Sequence, residues 1–172
     1  MVEDTDLDEV WFVVSPQSPF KDFSTLANED QRLKMVQLAT RGNPKLRASK
    51  IEFALPRPSY TIDTLDELKR IHSNDSFVII MGEDNLKDLP KWKSFKRILK
   101  EFTLYVYKRS NSKKHDFGKH QNVQIFNVPF IDISATRIRQ RIASHKSIQY
   151  LVPNSVFKYL SKNKIYRKTD NV

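Results

Sequence analysis

At 172 residues the chain is long enough for one domain with a real core and too short for two comfortable ones. Its 39% apolar and 11% aromatic content fits a packed globule rather than disorder, and the lack of any cysteine excludes disulfides and thiolate metal sites. A formal charge of +10 points to an anionic partner, nucleic acid or polyphosphate, unless the basic runs are simply solvated faces. Those runs are Lys108 to Lys119 and a tail carrying Lys158, Lys162, Lys164, Arg167 and Lys168. No apolar run approaches the roughly 18 residues of a membrane span and no signal peptide opens the chain, so a cytoplasmic protein is expected.

Strand-like and helix-like segments alternate along the chain. Val10 to Val14 is a continuous apolar run of β-formers, as in a strand buried on both faces, and Ser15-Pro16-Gln17-Ser18-Pro19 ends it. A helix follows, with Asn28 as cap, Gln31 in the capping-box position and Leu33, Met35, Val36 and Ala39 as its buried stripe, until Gly42-Asn43-Pro44 stops it. A weaker strand is expected over 46–53. Ile62, Leu65, Leu68 and Ile71 recur at threefold spacing and mark the next helix. Phe77 to Met81 reads as a second fully apolar strand halted by Gly82, Pro90 opens a helix to about Leu99, and Phe102 to Tyr107 is a strand. Residues 109–121 read as a surface loop, Val123 to Val128 as a last strand, Ser134 to Ala143 as a helix, and Pro153 to about Lys162 as another.

Apolar strands alternating with helices imply a doubly wound parallel sheet covered on both faces, an α/β fold. Such sheets bind ligands beyond the carboxyl ends of their strands, so the residues after Val14, Met81 and Val128 are of interest. The most informative segment is Ile133-Ser134-Ala135-Thr136-Arg137-Ile138-Arg139. Ser134 and Thr136 cluster where a helix begins, so hydroxyls and free N–H groups converge with the positive end of the helix dipole on a possible anion. Arg139, one turn on, can add a bidentate contact. The other reading is an ordinary N-cap with a solvated arginine face.

This segment resembles the Ile-Ser-Ser/Ala-Thr-x-Ile-Arg signature of the nucleotidyltransferase superfamily, which grips ATP phosphates. Four further segments, in order, resemble the nicotinate-nucleotide adenylyltransferases within it. Ser15-Pro16-Gln17-Ser18-Pro19-Phe20-Lys21 is similar to the loop whose lysine meets the mononucleotide phosphate. Pro58-Ser59-Tyr60-Thr61-Ile62-Asp63-Thr64-Leu65 is similar to the motif framing the nicotinate pocket. Met81-Gly82-Glu83-Asp84 and Lys91-Trp92-Lys93 resemble the elements that lie by the ATP ribose and stack on the pyridine ring. The resemblance thus implies a Rossmann-like fold transferring the adenylyl group of ATP to nicotinate mononucleotide, with Mg²⁺ accompanying ATP. It gives Gly82, Asp84, Ser134, Thr136 and Arg139 to ATP, and Lys21, Tyr60, Thr61 and Trp92 to the mononucleotide. A pyridinium ring would be drawn to the indole face of Trp92 by cation–π attraction. From the residues alone Trp92 is equally a half-buried helix residue, Thr61 an N-cap and Lys21 a solvated loop lysine. His72, His115, His120 and His145 show no ligand spacing.

One element of the family is missing. Its members open with a strand, a Gly-x-Phe-x-Pro-x-His-x-Gly-His loop and a first helix, whereas Met1 to Val10 matches the end of that helix and the turn into the second strand. The expectation is a single nucleotidyltransferase domain over 1–172 that lacks the first strand and most of the first helix, about 20 residues, with Met1 an internal methionine of a longer protein. No catalytic residue of the histidine motif is present, so impaired activity is expected. The alternatives are a phosphopantetheine-type adenylyltransferase or a basic, non-catalytic nucleotide- or nucleic-acid-binding relative.

Overall fold

The computed structural model describes residues 1–19, 26–108, 116–129 and 131–167. Two compact units emerge, Met1–Arg57 with Asp132–Val172, and Pro58–Ile131. Every strand pairing in both is parallel, with α-helices between β1 and β2 and between β3 and β4.

In the first unit β1 (Val10–Val13) pairs with β2 (Leu46–Ser49), Val10 opposite Leu46 and Val13 opposite Ser49. Between them runs α1 (Glu29–Thr40), started by Asn28, whose side chain accepts the Gln31 N–H at 2.8 Å. Glu29 and Asp30 in its first turn complement the helix dipole. α5 will be used for Ala135–Ala143 and α6 for Asn154–Lys162, both in this unit. Ile138, Ile148, Val156, Leu160 and Ile165 form its core, with Met35 and Leu38 of α1 packed against them.

The second unit holds the sheet β3 (Val78–Gly82), β4 (Thr103–Tyr107) and β5 (Val123–Phe126), in that order. α2 (Thr61–Ile71), α3 (Glu83–Asp88) and α4 (Phe95–Glu101) accompany it. The threefold spacing on α2 buries Ile62, Leu65 and Leu68, and the first two join Leu86, Leu89, Ile98, Leu104 and Val106 in one apolar cluster. Burying a side chain of this kind is worth about 1.5–3 kcal/mol, so this cluster positions everything the second unit carries.

Several local expectations change. The strand over 46–53 ends at Ser49 and gives way to a 3-10 turn at Ile51–Ala54, since Pro56 and Pro58 bar a longer ladder. β1 is not buried on both faces: Phe12 is 44% exposed, because its sheet has two strands among the described residues. Gly82 closes β3 rather than stopping it short, paired with Tyr107. The helix opened by Pro90 is instead a 3-10 turn, Leu89–Lys91, then an extended Trp92 and a left-handed Ser94 before α4. α3 was not foreseen, being too short to carry a period. On α1 Ala39 faces solvent and Leu38 takes its place in the core. Ile71, last of the threefold series, is 50% exposed where α2 ends. Of the expected loop, 109–115 lies outside the described residues, and Asp116–Lys119 is a 3-10 turn. Among the described residues no helix is long and apolar enough to cross a membrane.

One polar network ties α2 to α4. Arg97 grips Asp66 with two bonds of 2.6 and 2.8 Å and Glu101 with one of 2.9 Å. The Arg97 guanidinium holds both carboxyls below their usual range, and the carboxylates in turn raise Arg97. A depressed carboxyl adds stability above its unfolded pKa and loses it as pH falls through the folded value. Arg97→Ala should therefore lower the urea midpoint at pH 7, with the gap from the parent closing as pH drops below about 4. A gap independent of pH would mean that Arg97 acts through packing alone.

Candidate functional site

The two helix starts singled out by sequence are both formed, and both are open. In the second unit α2 begins at Thr61, so Thr61 is its first residue and Tyr60, in extended backbone, is the cap. Tyr60 supplies no side-chain bond to the helix; its carbonyl accepts the Asp63 and Thr64 N–H groups at 3.0 and 3.2 Å. The N–H groups of Thr61 and Ile62 have no partner within the helix and are available to an anion. Next to them the Ser59 hydroxyl is buried and without a hydrogen bond. Ser59 belongs to the 58–65 motif, and the resemblance gives it no role of its own. Its signal was its position, directly before a helix start.

Trp92 is half-buried against the cluster of the second unit, as Tyr60 is, and it sits outside any helix, with its backbone extended. The neighbouring Lys93 links it to α2: its ammonium bonds Asp63 at 2.8 and 2.9 Å and lies 4.9 Å from the centre of the Tyr60 ring. Tyr60, Thr61 and the Trp92 segment are therefore brought together. At the end of β3, Gly82 caps α3, and Asp84 is exposed on its first turn. A Cβ on Gly82 would collide with Asp84 Oδ1 and stand 3.2 Å from the Tyr107 hydroxyl. The glycine lets the Asp84 carboxylate fold back over the strand end, where sugar hydroxyls are met in sheets of this type.

In the first unit Ser134 caps α5, its hydroxyl accepting the Arg137 N–H at 3.2 Å. Residues from Ile131 to Arg137 are all exposed, so the remaining N–H groups of Ala135 and Thr136 open outward. Arg139 Nη2 donates to Thr136 Oγ1 at 3.1 Å, which folds the guanidinium back toward the helix start. Lys21 lies outside the described residues. A residue that no sequence motif marked lies on the two described sides of that segment: Arg32 of α1 donates to the carbonyls of Ser15, Pro16 and Ala27. Ser134, Thr136 and Arg139 belong to the first unit, and Tyr60, Thr61, Gly82, Asp84 and Trp92 to the second. Among the described residues no three His, Asp or Glu side chains converge to hold a metal ion.

Parallel strands flanked by helices, with open helix starts beyond them, define an α/β fold of the Rossmann-like kind. Residues 1–141 match the family described as cytidylyltransferase-like. The chain is 48% identical over 166 residues to the "Probable nicotinate-nucleotide adenylyltransferase" of Cytophaga hutchinsonii, which covers 96% of this chain and 86% of that protein. To the protein of the same name from Flavobacterium psychrophilum it is 45% identical over 170 residues, 98% of this chain and 88% of that one. A solved structure, "Plasmodium falciparum nicotinic acid mononucleotide adenylyltransferase complexed with NaAD", aligns with a TM-score of 0.76 over 92% of this chain and 82% of its own. At 19% identity that likeness is one of fold. The chain belongs to the nicotinate-nucleotide adenylyltransferase family of cytidylyltransferase-like proteins.

A buried hydroxyl without a partner costs about 1–3 kcal/mol. Ser59→Ala should accordingly raise the unfolding free energy of the ligand-free chain, by about 1 kcal/mol, while weakening whatever binds at the start of α2. Urea unfolding with and without nicotinate mononucleotide reads both effects. A variant that is destabilised and binds normally would make Ser59 a packing residue only.

Proposed function

We propose that this chain transfers the adenylyl group of MgATP to nicotinate mononucleotide, releasing pyrophosphate and giving deamido-NAD, as a cytoplasmic step of NAD synthesis. The observation that carries the reading is the open start of α5, where Ser134 and Thr136 are exposed and a half-buried Arg139 folds back onto Thr136. A phosphate set there receives two backbone N–H groups, a hydroxyl and a guanidinium. Asp84 beside Gly82 suits the ATP ribose.

The start of α2 supports an acid, rather than an amide, on the pyridine ring. Two free N–H groups and the positive end of the dipole favour a carboxylate over a neutral carboxamide, and Ser59 can add a third donor. Trp92 would face the cationic ring. Lys21 is proposed for the mononucleotide phosphate on the family resemblance alone.

In the reaction an oxygen of the mononucleotide phosphate forms a bond to the α-phosphorus of ATP as the bond to the β-phosphate oxygen breaks. The electron pair leaves with pyrophosphate. The nucleophile is already anionic and needs no base, so the chain's task is to orient two phosphates and offset charge. Mg²⁺ enters as part of the nucleotide, bound to phosphate oxygens. Among the described residues, the start of α5 and Arg139 are proposed to meet part of this charge.

Adenylyl transfer measured with nicotinate mononucleotide, nicotinamide mononucleotide and phosphopantetheine tests the reading. The acid mononucleotide should be preferred, and the chain alone should be slower by about 10²–10³ than the same chain preceded by a strand–His-x-Gly-His–helix segment. Preference for phosphopantetheine would overturn the substrate assignment.

The two halves of the site should separate under mutation in that extended enzyme. Arg139→Ala is expected to weaken ATP by about ten- to a hundredfold, 1.5–3 kcal/mol, with mononucleotide affinity near normal and only partial rescue by Arg139→Lys. Trp92→Ala should do the reverse, costing the mononucleotide about 1–2 kcal/mol. Equal losses for both substrates from Trp92→Ala would make Trp92 a core residue.

A further inference from the structure

Thr136 and Arg139 do not stand alone on α5. They line a groove of about 740 Å³ whose other walls include Lys164, Tyr166 and Arg167, from the segment after α6, and Asn28. Three of the lining side chains are cations, and no Asp or Glu is among them. None of Arg139, Lys164 and Arg167 has an ion pair among the described residues. A concave surface that gathers three uncompensated cations selects for a compact polyanion, because each added cation repels the others until a ligand neutralises them.

The backbone fixes where two of these cations sit. α6 ends in a two-bond closure: the Ile165 N–H donates to the Leu160 carbonyl at 3.2 Å and the Lys164 N–H to that of Ser161 at 3.4 Å. Ile165 is buried against the same core cluster as Leu160, the apolar contact usual in such an ending. The residue that must turn left-handed here is Lys164, at φ 50°. Glycine is the common occupant of that position, since it has no Cβ to strain. Tyr166, also left-handed, accepts the Ala27 N–H on its hydroxyl at 3.2 Å, and the Arg167 N–H closes back on the Lys164 carbonyl at 3.3 Å. A lysine is thus held in a conformation that disfavours it, in a segment anchored at both faces.

We infer that Lys164 and Arg167 extend the α5 site into a polyphosphate groove that holds the β- and γ-phosphates of ATP and then the departing pyrophosphate. The assignment to ATP rests on the proposed adenylyl transfer; the affinity for linear polyphosphate does not. Arg139 and the helix start meet one phosphate, while the leaving group carries two more and gains charge as its bond breaks. Lys164 and Arg167 supply cations for that charge.

The test titrates inorganic tripolyphosphate into the 172-residue chain by calorimetry at fixed ionic strength, beside four variants. Lys164→Gly and Lys164→Asn both accept left-handed backbone and remove the charge; Arg167→Ala removes the second cation. A double variant, Lys158→Ala with Lys162→Ala, lowers net charge by two on exposed positions of α6 that do not line the groove. Each groove variant should weaken tripolyphosphate by roughly tenfold or more, and the α6 double variant by less than about twofold. Lys164→Gly should at the same time raise the melting temperature by roughly 2–4 °C, so lost binding cannot be lost folding. Unchanged affinity in the groove variants, or an equal loss in the α6 double variant, overturns the groove. Binding that depends on Lys164 and Arg167 without adenylyl transfer in the extended enzyme would sink the proposed reaction and leave the groove. Normal transfer with tripolyphosphate indifferent to both residues would do the opposite.

Discussion

The proposed site rests on helix starts that the described residues do not fully close. A helix leaves its first N–H groups without internal partners, and most proteins answer with a side-chain cap. α1 follows that habit: Asn28 accepts the Gln31 N–H. α2 has no side-chain cap, and α5 has one hydroxyl for one N–H. The donors left over are directional, positively polarised and rigid, which suits carboxylate and phosphate oxygens better than water. Their rigidity comes from elsewhere, from Ile62 and Leu65 in one core and Ile138 in the other. A ligand site of this type depends on packing one turn below it.

The same economy governs the loop after β1. Among its described residues, one guanidinium reaches three backbone carbonyls, those of Ser15, Pro16 and Ala27, from Arg32 of α1. A planar fork with several donors serves here as a fastener, and lysine would lose two of the three contacts. The Arg97 network does the same between α2 and α4, where exposed carboxylates gain order from one arginine.

Much of the fold was legible because it rests on local rules. Asn28, the threefold apolar spacing before Ile71, and Ser134 ahead of Ala135 set boundaries that the structure keeps within a residue or two. What escaped was set by tertiary packing or by conformations that sequence does not announce. Nothing in Ser94 signals a left-handed residue, yet that turn splits the helix expected from Pro90. Arg32 reads as one charge among many until the loop it grips lies beside it. Lys164 reads as part of a solvated tail, and its place in a groove depends on the closure of α6 by Ile165. Of the candidate site, the start of α5 was visible from its hydroxyls, whereas the buried, unbonded Ser59 required three dimensions.

Among the described residues β1 pairs only with β2, and β3 only with β4. Each therefore presents one ladder edge, four residues in β1 and five in β3, with Phe12 partly bare on the first. Open edges are where chains associate, strand against strand, as concentration rises. They are also sockets. A β-strand offered as a separate peptide finds donors and acceptors along such an edge, so the property that exposes this chain to aggregation also lets it take up an added strand.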